Sequence, residues 1–138
     1  IKKQLNELIE DTQNQHDLYQ NSIQAVINAH SSWGHPIVIE GWNLYPDWLS
    51  NMTADLFSIW LIGTSKVFQQ RFDRNKQFWN GCSNLQKFKD NYINRSVWHN
   101  DKIKKQAIKN EMPIIELRLD YNSIKLFEKC IHLLRSEK

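Results

Sequence analysis

Three short apolar runs constrain this chain most: PIVIE at residues 36–40, LFSIWLIG at 56–63 and MPIIELRL at 112–119. Consecutive apolar residues without alternation read as strands covered on both faces, and such strands belong to parallel sheets. Between the runs, apolar residues recur at helical spacing. Residues 2–12 carry Leu5, Leu8 and Ile9, and residues 15–31 carry Tyr19, Ile23, Val26, Ile27 and His30, which predicts two helices or one broken helix ahead of the first strand. Pro46 opens a short helix reaching Met52, with Trp48, Leu49 and Met52 facing inward. Thr64 or Ser65 caps a helix carrying Val67, Phe68 and Phe72 and continuing toward Phe78 and Trp79. Residues 84–110 form a long helix with Leu85, Phe88, Tyr92, Ile103 and Ala107 inward, and Asn122 or Ser123 caps the last one. Strands alternating with helices call for crossovers between parallel strands. The expectation is one α/β domain over residues 1–138, three-layered, with a small parallel sheet and helices on both faces.

Composition narrows the class. A hydrophobic fraction of 41% with 24% charged residues, and six Trp beside six Phe, describe a chain that folds rather than a disordered one. Cys82 and Cys130 have neither metal-type spacing nor the density of a disulfide scaffold, which points to a reducing compartment. No apolar run approaches the ~18 residues of a membrane span, and the N-terminus has no signal-peptide core, so a cytoplasmic protein without a membrane partner is expected. The five histidines fall in no zinc-binding spacing, so no metal site is expected from them.

Charge is unevenly spread. Residues 66–109 hold eleven Lys or Arg against three Asp, a local +8, while the rest of the chain sums to −5. Such a segment is either a solvated helical face or a site for phosphates. Arg71 and Arg74, three apart, share a helix face and can grip one anion together.

The first strand ends on Glu40, followed by Gly41. In open α/β sheets ligands sit outside the carboxyl ends of the strands, which would place Glu40 in a crevice, with Gly41 supplying a positive φ or room for close approach. Trp42, Tyr45 and Trp48 crowd the same turn, either filling the core or offering faces to a planar substrate.

PIVIEGWNLYP, followed by FSIWLIGTSKVFQQRF, resembles the C-terminal two thirds of P-loop small-molecule and nucleotide kinases of the adenylate-kinase-like, 2-phosphoglycerate-kinase-like and cytidylate-kinase-like group. In that family a strand ends in an acidic residue plus Gly, and the next leads through Thr or Ser into a helix ending in arginines that opens a lid. The resemblance implies catalytic roles for Glu40, Arg71 and Arg74 and substrate or phosphate contacts for Gly41, Trp42 and Arg95. It further implies a basic helical lid over residues 66–110, and ATP and Mg²⁺ as cofactors. The G-x-x-x-x-G-K-[ST] turn that holds the phosphates in such kinases is not in this sequence, whose four glycines are at 34, 41, 63 and 81. The chain starts at Ile1, so on this reading the P-loop lies upstream and the chain supplies the acceptor and lid half, inactive alone. The alternative is a non-catalytic module that binds nucleic acid or protein through the basic helices at 66–109.

Overall fold

Helix α1 runs unbroken from Leu5 to Trp33. Neither Gly nor Pro interrupts residues 5–33, and Thr12, where a break was anticipated, returns its hydroxyl to the Leu8 carbonyl at 2.7 Å. The helix opens with the Glu7 carboxylate accepting from the Gln4 N–H at 2.6 Å, and it stops at Gly34, whose φ of 68° suits a residue without Cβ. A computed structural model of the chain describes residues 3–136, and these divide between two compact units, residues 1–57 and 58–138.

The first unit holds α1 and one further helical turn, α2 (Pro46–Leu49). The buried line of α1 passes through Thr12, His16 and Ile27, while Tyr19 and Val26, expected inside, are exposed. Tyr45 and Pro46 complete this small core. Residues 36–40 form no strand. They are extended coil in which Ile37 and Val38 face solvent, Val38 at 95% exposure.

The second unit is built on β1 (Trp60–Ile62) and β2 (Ile114–Glu116), paired in parallel with Trp60 opposite Ile114 and Ile62 opposite Glu116. Between them in the chain lie α3 (Ser65–Arg74), a 3-10 helix (Lys76–Trp79) and α4 (Leu85–Lys109), and α5 (Ser123–Ser136) follows β2. Thr64 caps α3 by accepting from the Val67 N–H, Asn84 caps α4 from Lys87, and Asn122 caps α5 from Lys125. The core gathers Trp60 and Ile62, Val67 and Phe72, Ile103 and Ala107, and Ile115 and Leu117. Asn100 ties α4 to the end of β1: its buried carboxamide donates to the Gly63 carbonyl at 3.1 Å and accepts from the Gly63 N–H at 3.4 Å.

The expected three-layer α/β architecture is therefore overturned. The described residues are mostly helical, and their sheet has two strands. Helical spacing found where helices form but not always which residues they bury, Leu85 and Phe88 of α4 being exposed as Tyr19 and Val26 of α1 are, and apolar runs were taken for strands over their whole length. PIVIE has no ladder to join, and the other two runs pair over three residues each. A strand exists only where another backbone satisfies its N–H and C=O groups, so composition alone cannot create one.

Candidate nucleic-acid interface

The basic segment of the sequence is the layer formed by α3, the 3-10 helix and α4. Its apolar side is aromatic. Phe72 of α3 and Trp79 of the 3-10 helix stack face to face, with centroids 4.5 Å apart and planes within 6°. The Trp79 indole N–H donates to the Phe72 carbonyl at 3.0 Å, which satisfies the last turn of α3 and fixes where the 3-10 helix folds back. Phe88 and Tyr92, one turn apart on α4, both meet this pair: Phe88 lies 4.9 Å from Trp79 and Tyr92 5.5 Å from Phe72.

The outer members of this cluster reach solvent. Phe78, against Trp79 at 6.1 Å, is 70% exposed, and Phe88 is 40% exposed. Two large rings thus remain on the surface although they belong to a packed cluster.

Cations lie near them in the chain. Arg71 and Arg74 are exposed in the last turn of α3, Lys76 is exposed in the 3-10 helix, and Lys87 is in the first turn of α4. Among the described residues Lys66, Arg71, Arg74, Lys76, Lys87 and Lys105 form no ion pair. The three acids of the segment offset them only in part: Asp73 is taken by Lys89 at 2.7 Å, with the same ammonium 5.6 Å from the Phe72 ring centroid, while Asp90, which accepts from the neutral Gln86 amide, and Asp101 keep their charges, and the segment's sum remains +8. Lys104 leaves the segment to pair with Glu116 of β2, holding that carboxyl below its ordinary range. Two of the free cations have a local structural use as well, since arginines in a last turn complement the helix dipole by about 0.3–1 kcal/mol each. That contribution needs only the charge and leaves both guanidinium forks open to an external anion.

The remaining sequence-expected residues sit as follows. Glu40, Gly41 and Trp42 lie in the first unit; Arg71, Arg74 and Arg95 lie in the second. Glu40 is an exposed coil residue instead of the end of a strand, so the crevice expected there has no sheet to define it. Gly41 does have a positive φ, 154°, a value glycine accommodates and other residues rarely adopt, and open space surrounds its Cα. Trp42 sets its ring edge-on to His16, with centroids 5.0 Å apart. Arg95 is half-buried on α4, away from the last turn of α3 in sequence and joined with it only through the packing of the two helices. Arg71 and Arg74 are brought together on one face, as their spacing predicted. Among the described residues no three His, Cys, Asp or Glu side chains gather in a metal-binding group.

Sequence reading missed two features. Phe88 was assigned an inward position and Phe78 only a place further along a helix, with no face given to it, although Phe78 follows Lys76 and precedes Gly81, a polar setting that could have signalled exposure. His16 was passed over because it matches no metal spacing. It is fully buried, with Nδ1 2.7 Å from the Tyr45 hydroxyl, and its place in the i, i+4 line of Thr12 and the apolar face of α1 was visible in the sequence.

Compared with family models, curated proteins and solved structures, the chain matches none. Among the described residues no helix is long and apolar enough to cross a membrane.

Proposed function

We propose that this chain is a non-catalytic binding module that holds nucleic acid by its phosphates, on the layer formed by α3, the 3-10 helix and α4. The observation that carries this reading is the set of cations on that layer with no acid partner: Lys66, Arg71, Arg74, Lys76, Lys87 and Lys105. Lysines and arginines that served only solubility would be interspersed with acids, as they are elsewhere in the chain, where the sum is −5. Concentrated here without neutralisation, they raise the local potential and favour a polyanion. The exposed location of Glu40 in coil, where no sheet defines a crevice around it, favours binding over phosphoryl transfer.

Affinity measured against salt tests the proposal. If four of these cations meet phosphates, affinity for an oligonucleotide falls roughly 50- to 150-fold between about 50 and 200 mM monovalent salt. Replacing Arg71 and Arg74 together by Ala removes two contacts and flattens the log–log slope by about 1.4–1.8. Affinity that does not change with salt, or a double variant with the wild-type slope, overturns the reading.

A further inference from the structure

We infer that the nucleic acid taken by this layer is single-stranded, with unpaired bases laid on the exposed rings of Phe78 and Phe88; this rests on the phosphate-binding reading above and specifies its ligand. Phosphate contacts alone do not distinguish a duplex from a single strand. The rings do. A phenyl face at the surface can stack on any base whose own face is open, and bases have open faces only when they are not already sandwiched in a helix.

The local construction favours this use. Phe78 is 70% exposed, yet its ring is buttressed by Trp79 at 6.1 Å, and Trp79 is in turn locked against Phe72 by face-to-face stacking and by its indole hydrogen bond to the Phe72 carbonyl. Phe88, 40% exposed, touches the same Trp79 from α4. Both rings thus lie against one indole, which places two exposed aromatic faces beside one shared support. Cations flank the platforms in the chain, Arg74 and Lys76 just before Phe78 and Lys87 just before Phe88. A strand whose bases stack on the rings therefore has guanidinium and ammonium groups beside it for the phosphates. This alternation of aromatic faces and positive charge is how sequence-tolerant single-strand sites are built.

The test uses the full chain and four fluorescein-labelled probes of equal length: oligodeoxythymidine, an abasic oligonucleotide with the same phosphates, a duplex, and polyphosphate. Fluorescence anisotropy gives each affinity at about 50 and about 200 mM salt, and probes are compared at the same salt. Oligodeoxythymidine is expected to bind most tightly, and Phe78→Ala is expected to weaken it by about 5- to 100-fold while leaving the abasic and polyphosphate affinities unchanged. Phe78→Trp, which keeps a stacking face, is expected to restore binding. The ring of Phe78 is exposed, so these variants should fold, and matching far-UV circular dichroism checks that they do. Equal affinity for the abasic and the thymidine probes, or Phe78→Ala binding like wild type, overturns the stacking inference while salt-dependent binding of all four probes would leave the phosphate reading standing. No salt-dependent binding to any probe overturns both.

Discussion

The pair formed by His16 and Tyr45 gives a prediction whose size follows from the structure. Tyr45 is 1% exposed, and its hydroxyl lies 2.7 Å from His16 Nδ1 inside the first unit. Burial, with a smaller contribution from the negative charge of Asp17, pushes the phenol from 10.0 up to about 12. The folded state therefore holds the phenolic proton more tightly than the unfolded chain does. That preference stabilises the fold fully below pH 10 and is lost as pH rises from 10 toward 12. At about 1.4 kcal/mol per pH unit the whole loss is roughly 3 kcal/mol, of which roughly 2 kcal/mol has gone by pH 11.5. Tyr45→Phe has no proton to lose there. At pH 7 the variant lacks the His16 hydrogen bond and should be less stable by about 1–2 kcal/mol. Urea unfolding of both proteins, followed by circular dichroism at pH 7, 9.5, 10.5 and 11.5, compares them directly. Lysines and the other three tyrosines titrate in both chains, so their effect cancels in the difference. The gap between the two proteins should close or reverse by pH 11.5. A gap that stays constant across the range would show that burial does not hold the phenol protonated and would refute the argument.

Other perturbations probe the second unit. Asn100→Ala removes both hydrogen bonds to Gly63 and leaves its half-buried backbone groups without that partner, at a cost of about 1–3 kcal/mol by denaturant unfolding; a loss under about 0.5 kcal/mol would mean water replaces the carboxamide freely. Gly63→Ala would set a Cβ 3.0 Å from the Phe68 ring, and thermal unfolding should show a loss of about 1 kcal/mol as that ring shifts. Trp79→Ala empties the space between Phe72, Phe88 and Tyr92; the expected loss is about 3 kcal/mol, with Phe78 no longer held and oligodeoxythymidine affinity falling in parallel. Glu116, held low by Lys104, stabilises the fold above the ordinary carboxylate range and loses that contribution as pH falls through its lowered value. Glu116→Gln should therefore narrow the difference between stability at pH 6 and at pH 3, and an unchanged difference would place the carboxylate outside the folding balance.

Sequence and tertiary structure divided this protein along the range of the forces involved. Helices close hydrogen bonds four residues apart, and their caps are satisfied within three, so the positions of α3, α4 and α5 and the capping roles of Thr64 and Asn122 were legible in the chain itself. So were the excess of positive charge at 66–109 and the shared face of Arg71 and Arg74, which depend only on composition and helical spacing. Strands close their hydrogen bonds on a distant segment. PIVIE has strand composition and no partner, while IIE in the third run became a strand because WLI lies beside it. Glu40 lost its expected setting for the same reason. Exposure of an aromatic ring is likewise decided by what packs on it: Phe72 is buried by Trp79 and the helices around it, and Phe78, one residue before Trp79, is left to the solvent. Local sequence fixes which residues can form a helix, and only the packed chain decides which strands find a neighbour and which rings stay outside.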